Sequence, residues 1–299
     1  MQPRPNQSSQ PISGRRLTVN LEALNFAVGH GTHEGRSRTS NKDRYHVFDT
    51  QQHIPHVDPP VTIPALVAVV ADGIGRTSGG EIASQIAVDS FTLDVENYPY
   101  ISIQERLENA VRTANREIFI NSIENPLHKG MGTTIVAAAI LGKHYLYIVH
   151  AGDSRAYLIR DRKIHLLTID HTWVQEALDG GYLTLEQAKK HPNRKVIKRY
   201  LGPNDSVDVD HSIVDPMKST GSALTPLGRE IAEKNFIEII PGDTLLLCSD
   251  GLTDVVSEEE ILTAILRHQP QKAVEELINA ANNAGGPDNI TVVILERIE

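Results

Sequence analysis

Five short acidic segments, spread over most of a 299-residue chain, each stand beside glycine or at the end of an apolar run. They are Arg38-Thr39-Ser40-Asn41-Lys42-Asp43, Val70-Ala71-Asp72-Gly73-Ile74-Gly75, Gly152-Asp153-Ser154-Arg155, Cys248-Ser249-Asp250-Gly251-Leu252-Thr253-Asp254 and Gly286-Pro287-Asp288-Asn289. An aspartate that follows a run such as Leu66–Ala71 or Thr244–Cys248 sits where a buried strand reaches the surface. Several carboxylates at neighbouring strand ends repel one another, and burial penalises each of them. They are tolerated together only where a cation neutralises them. Oxygen donors of this kind select a hard divalent metal.

At this length the chain can bury one large domain or two modest ones. Hydrophobic residues make up 40% and charged residues 22%, an ordinary balance for a globular protein. No apolar run approaches the roughly 20 residues that cross a bilayer, and the polar start Met1–Asn20 lacks the apolar centre of a signal peptide. The expected compartment is therefore the cytoplasm, with no membrane partner. A single cysteine, Cys248, excludes an internal disulfide and a thiolate zinc site. A net charge of -9 argues against nucleic acid as a partner.

Residues 1–19 are rich in Pro, Gln, Ser and Arg and offer little to bury, which predicts a disordered tail ahead of one domain over 20–299. The segment His53–Pro64 carries four prolines and is expected to be a loop. Ser102 and Glu105 form a capping-box pattern. Ile103, Leu107, Ala110, Val111, Ala114 and Ile118 follow at helical spacing, predicting an amphipathic helix over Ser102–Glu124 with a partner helix over Gly79–Glu96. Runs rich in Val, Ile, Ala and Tyr from Thr133 to Thr168 read as an antiparallel meander. Trp173–Leu178 and the segment capped by Thr184 read as short helices. Further strands are expected at Val207–Val214, Phe236–Ile240, Thr244–Cys248 and Ile290–Leu295, with helices at Ser257–His268 and Gln271–Asn282. Strands in blocks between helix pairs indicate an α+β layered sandwich and not a Rossmann alternation.

Asp72-Gly73 is the most informative pair, because an aspartate ending a buried strand can bridge two cations and the glycine lets a carbonyl approach a metal. A plain Asp-Gly turn is the alternative for any one such pair. Six motifs in order change the weighting: Arg-x-x-Asn-x-Asp, Ala-Asp-Gly-x-Gly, Gly-x-Gly-Thr-Thr at Gly130–Thr134, Ala-Gly-Asp-Ser-Arg, Cys-Ser-Asp-Gly-Leu-Thr-Asp and Gly-Pro-Asp-Asn. Together they resemble the metal-dependent protein phosphatase family, the protein phosphatase 2C group, over 20–299. Asp170-His171-Thr172-Trp173-Val174, Gly180-Gly181, His191-Pro192 and Leu201-Gly202 resemble the flap of its bacterial members, here at about 170–204.

The resemblance implies a four-layer αββα sandwich, two central antiparallel sheets flanked by helices, with the flap as a subdomain. It also implies two Mn²⁺ or Mg²⁺ ions bridged by Asp72, with the Gly73 carbonyl on one and Asp250 and Asp288 on the other. Asp43 would hold metal-bound waters. Asp153 with Asp250, and Asp254 as a further candidate, would form a third, weaker site. Arg38 would grip the substrate phosphate, whose tetrahedral dianion suits a planar guanidinium. A water bridging the two cations would be acidified toward hydroxide and attack phosphorus directly, hydrolysing phosphoserine and phosphothreonine on proteins. The implied setting is a monomer that opposes a Ser/Thr protein kinase.

Two positions depart from the family pattern. Lys42 stands where many members carry Glu, and Ile74 replaces a histidine of the animal branch. A cation at Lys42 would weaken the second ion or swing out to solvent. Two rival readings follow: a pseudophosphatase that only binds a partner, and a metal-dependent hydrolase of small phosphate esters. Among thirteen histidines no His-Glu-x-x-His or compact His/Cys group occurs. His171 and His191 are flap candidates for substrate contact. Cys248 reads as a buried inert thiol, Ser154 lacks the glycine frame of a nucleophile elbow, and the basic run Lys189–Arg199 is a solvated face or a steering patch.

Overall fold

A computed structural model describes residues 24–54, 58–75, 78–211 and 236–298. The expected tail at 1–19 and residues 215–235 lie outside the described residues. Eleven strands among the described residues form two antiparallel sheets. One sheet runs β1 (Phe26–His33), β11 (Ile290–Arg297), β10 (Thr244–Cys248), β7 (Arg155–Arg160) and β8 (Lys163–Leu166). The other runs β2 (Asp43–Ile54), β3 (Val61–Ile74), β5 (Ile135–Leu141), β6 (Tyr145–Ala151) and β9 (Ile237–Glu238), with the short β4 (Gly132–Thr133) also on β3.

The apolar runs follow from a sheet covered on both faces. Along β3, Leu66, Ala68 and Val70 enter the core between the sheets. Their neighbours Ala65, Val67, Val69 and Ala71 pack under α1 (Gly79–Asn97) and α2 (Ile103–Glu124). The two-residue period of a strand thus places every residue of the run in one core or the other. In β10, Leu245 and Leu247 face the other sheet, while Leu246 and Cys248 face α6 (Glu258–Arg267) and α7 (Pro270–Asn283). The result is the expected helix–sheet–sheet–helix sandwich. All six predicted apolar positions of α2 are buried, and Ser102 caps its start by accepting the Glu105 N–H.

Four expectations on strands and loops need correction. The meander is two hairpins in different sheets: β5 pairs β6, β7 pairs β8, and Gly152–Ser154 carries the chain across the sandwich. The proline-rich loop is shorter than expected, because β2 reaches Ile54 and β3 starts at Val61 and runs through Pro64. Pro64 lies beyond the last β3–β5 pair, Ala65↔Leu141, so its missing N–H breaks no ladder there. Val207–Asp210 is not a strand but a segment with one bridge, Asp210↔His150, and the remainder of that expected strand after His211 lies outside the described residues. The strand expected over Phe236–Ile240 is only Ile237–Glu238. Among the described residues no helix is long and apolar enough to cross a membrane.

Candidate metal centre

Asp43 opens β2 directly opposite Asp72 near the end of β3, so one sheet presents two carboxylates side by side. The other sheet presents two more: Asp250 begins α5 (Asp250–Thr253) just after β10, and Asp288 precedes β11, the partner of β10. The crossover from β6 to β7 adds Asp153. Arg38, Asp72, Gly73, Asp153, Asp250 and Asp288 all line one open cleft of about 770 Å³. Asp43 lies beneath it, 1% exposed.

Main-chain stitching fixes each donor. The Asp72 carbonyl accepts from the Thr134 N–H at 2.9 Å and from Thr133 Oγ1 at 2.8 Å, and the Asp72 N–H donates to Thr134 Oγ1 at 3.1 Å. The threonine pair of the Gly130–Thr134 motif therefore serves the strand end and not the substrate. Gly73 is obligatory by close approach, since a Cβ there would lie 2.1 Å from the Gly80 carbonyl oxygen. Asn289 ties down the Arg38–Asp43 loop: its Oδ1 accepts the Lys42 N–H at 2.8 Å, and its Nδ2 donates to the carbonyls of Glu34 and Ser40 at 2.8 and 2.9 Å. Its neighbour Asp288 is thereby left for the cleft.

Asp43 joins the two sheets. Ser249 Oγ and Thr291 Oγ1, on the β10–β11 side, each donate to its Oδ2 at 2.7 Å. Its Oδ1 is buried and has no hydrogen-bond partner among the described residues. A lone pair so placed is costly unless a ligand or a water takes it. Burial, only partly offset by these hydroxyls and reinforced by Asp250 and Asp288, pushes the Asp43 carboxyl up to about 7. Burial and then Asp43 and Asp250 raise Asp72 well above the carboxylate range. Burial, then Asp250 and Asp170, push Asp153 up to about 8, and burial, then Asp254, push Asp250 up to about 6. The carboxyls of Asp72 and Asp250 are close enough to share a hydrogen bond. Such mutual repulsion in a buried cluster, all oxygen donors with one orphaned lone pair, fits hard divalent cations.

Basic residues rim the cleft. Arg38 donates from Nε and Nη2 to Asp288 Oδ1 and Oδ2 at 2.9 and 2.6 Å. The Lys42 ammonium donates to the Gly75 carbonyl at 2.6 Å, which answers where this departure points: across the cleft wall toward the Asp-Gly-x-Gly turn. Lys195, from the basic run, is paired with Asp254 and lies 3.7 Å from Asp250 Oδ2. The basic run that carries this lysine reads from sequence as a solvated face or a steering patch, and no pattern in the sequence marks Lys195 as the residue that reaches the carboxylates.

The two histidines of the expected flap face elsewhere. His191 stacks on Trp173 with ring centroids 4.6 Å apart, and His171 is buried against Gly152, so neither lines the cleft. His171 instead joins His150 and Asp210, the one group of three such ligand atoms mutually within 4.8 Å among the described residues. No three aspartates of the cleft bring oxygens mutually within that distance. Ser154 is buried on Thr134, and burial pushes the Cys248 thiol up to about 12, an inert group as expected.

The protein phosphatase 2C profile matches residues 31–285. The serine/threonine phosphatase stp of Listeria monocytogenes serotype 4b is 34% identical over 273 residues, 89% of this chain and 94% of that protein. The solved serine/threonine phosphatase of S. agalactiae superposes with a TM-score of 0.74 at 29% identity, covering 92% of this chain and 100% of the other. The catalytic domain of the serine/threonine protein phosphatase PstP, solved with two manganese ions, gives 0.70 at 29% identity, covering 92% and 99%.

Proposed function

The chain belongs to the protein phosphatase 2C family and is a metal-dependent protein serine/threonine phosphatase, and from that premise we propose that Asp72, the Gly73 carbonyl, Asp250 and Asp288 hold its two core cations. The observation that carries this assignment is convergence: Asp72 from one sheet, with Asp43 buried beneath the cleft beside it, meets Asp250 and Asp288 from the other, although up to 245 positions separate these four in the chain. When bound, two Mn²⁺ or Mg²⁺ ions supply Lewis acidity toward the phosphate and acidify a water for attack. The relative with two manganese ions supports the number and leaves the choice between Mn²⁺ and Mg²⁺ within the proposal.

The chain's own residues do the rest. Asp43 is the buried acceptor that orients water beneath the cations, through the oxygen that Ser249 and Thr291 leave open. Arg38 grips the phosphate with the guanidinium hydrogens that Asp288 does not use, for it makes no other hydrogen bond among the described residues. Asp153, with Asp250 and Asp254, holds an outer, weaker cation on the flap side.

Retention of Arg38, Asp43, Asp72, Asp250 and Asp288 in one cleft leaves the pseudophosphatase reading without support. A Ser/Thr kinase as the opposing partner, a monomeric state and a cytoplasmic site of action complete the proposal, the kinase following from the substrate class. The test is manganese-dependent release of phosphate from a phosphothreonine peptide and from sugar phosphates. Preference for the peptide, lost in a folded Asp72→Asn variant, is the expected result; activity that survives Asp72→Asn, or equal turnover of sugar phosphates, would overturn the assignment.

A further inference from the structure

Both ends of the flap meet at the turn that carries Asp153. At its start, Asp170 accepts a fork of hydrogen bonds from Arg155 at 2.8 and 2.7 Å, on one side of the turn. On the other side His171 clasps Gly152 twice. The His171 N–H donates to the Gly152 carbonyl at 2.9 Å, and the Gly152 N–H donates back to His171 Nδ1 at 3.0 Å. A ring nitrogen that accepts a main-chain N–H carries no proton, so the His171 proton is on Nε2. That Nε2–H donates to Asp210 Oδ2 at 2.9 Å. Asp210 Oδ1 in turn accepts from Arg199 at 2.6 Å, and Arg199 comes from the far end of the flap. Main-chain bonds between Asp210 and His150 anchor the same residue to β6 just before Gly152.

By ligand type, His150, His171 and Asp210 could suit zinc. The Arg199 guanidinium argues otherwise, since it already stands 2.6 Å from Asp210 and 3.2 Å from His171 Nε2 and supplies the positive charge there. Nor do these residues serve the substrate directly, because His171, Arg199 and Asp210 do not line the metal cleft. What they touch is the turn. Gly152 has φ of 122°, and a Cβ there would lie 2.5 Å from Thr134, so its conformation is imposed by its neighbours.

We propose that His171, locked by Asp210 and Arg199, is a positioning residue that fixes the Gly152–Asp153 turn and so presents the Asp153 carboxyl to the outer divalent cation, coupling flap placement to occupancy of that site. This rests on the reading of Asp153 as an outer-cation ligand. Groups that orient a ligand from behind typically change metal affinity by about 10–100-fold.

Mn²⁺ titration by calorimetry, with free Mn²⁺ counted by electron paramagnetic resonance, tests both layers. Asp153→Asn is expected to remove the weakest class of bound ion. His171→Gln is expected to weaken that same class by about 10–100-fold while the tighter ions bind as in the parent, and Asp210→Asn to weaken it less. If Asp153→Asn removes the class and His171→Gln leaves it intact, the positioning role is wrong. Equal weakening of every class with a lowered unfolding midpoint would assign His171 a general structural role and overturn the proposal too. A parent that binds only two ions, or an Asp153→Asn variant that keeps all classes, defeats the reading of Asp153 and the proposal falls with it.

Discussion

Arg38 and Asp288 are joined by a two-point fork, Nε to Oδ1 at 2.9 Å and Nη2 to Oδ2 at 2.6 Å, so the guanidinium assigned to phosphate is seated on a carboxylate assigned to a cation. The hydrogen bond to Asp288 raises the Arg38 pKa further, so the charge is permanent. Lysine keeps that charge and loses the fork. Hydrogen bonds to charged groups contribute about 1.5–3 kcal/mol, so Arg38→Ala is expected to lower kcat/KM on a phosphothreonine peptide by about 10–100-fold, mainly through KM, with Arg38→Lys between it and the parent. An unchanged KM in steady-state kinetics would remove Arg38 from the substrate.

Lys42 holds its main chain on Asn289 and its ammonium on the Gly75 carbonyl at 2.6 Å, which leaves a positive charge on the wall of the cation cleft. Replacing it by glutamate both removes that repulsion and adds a carboxylate, while Lys42→Met removes the repulsion alone. Lys42→Glu is expected to tighten Mn²⁺ binding by about tenfold, equivalent to 1.4 kcal/mol, and Lys42→Met by less. Calorimetry at fixed ionic strength checks the order. Identical affinities in all three would show that the ammonium does not reach the ions.

Much of this arrangement was legible because it is written in local pattern. Asp72 and Asp250 follow unbroken buried runs, Ala65–Ala71 and Thr244–Cys248, and a strand covered on both faces makes such runs continuous in sequence. The apolar spacing of α2 is equally explicit. What was not legible is long-range pairing. The strand β2 mixes Asp43, Tyr45, His46, Gln51 and Gln52 with few apolar residues and reads as no strand, yet it is held by twelve consecutive pairs to β3. Ser249 and Thr291 look like ordinary strand residues until the second sheet places both on Asp43. The crossover at Gly152 reads as one more hairpin break, since the sheet a strand joins is decided by its partner and not by its own residues.

Lys195 brings the flap's positive charge to the outer carboxylates, paired with Asp254 and 3.7 Å from Asp250. Burial disfavours its charged form, but Asp250 and Asp254 outweigh that and raise its pKa. A divalent cation between Asp153, Asp250 and Asp254 must share those carboxylates with the ammonium or displace it. Lys195→Met is therefore expected to tighten the weakest class of bound Mn²⁺ several-fold, about half to one unit in log affinity, with the advantage shrinking as salt rises. Mn²⁺ titrations at two ionic strengths measure both effects. A weaker outer site in Lys195→Met would show that the lysine supports the cation in place of competing with it.

Acid lability has a definable source in His150. Fully buried, and stacked on the His171 ring at 4.7 Å, it is pushed down from 6.5 to about 3, chiefly by burial. Below about pH 6.5 the unfolded chain takes up a proton that the folded chain refuses. The stabilisation is therefore complete above pH 6.5 and is lost as pH falls toward 3, by at most about 1.4 kcal/mol per pH unit for one such group. Asp210, whose pKa is lowered chiefly by its hydrogen bond to His171, adds acid loss only from the ordinary carboxylate range downward, so between pH 6.5 and about 4.5 the loss comes from His150 together with His30 and His165, which burial also lowers and which parent and variant share. The cleft carboxyls, with raised pKa values, run the opposite way in chelator, and they are common to parent and variant. Urea unfolding of the parent and His150→Gln in chelator is thus expected to give curves of stability against pH that converge on acidification, because the variant lacks the proton uptake. Parallel curves through that window would place the acid sensitivity elsewhere.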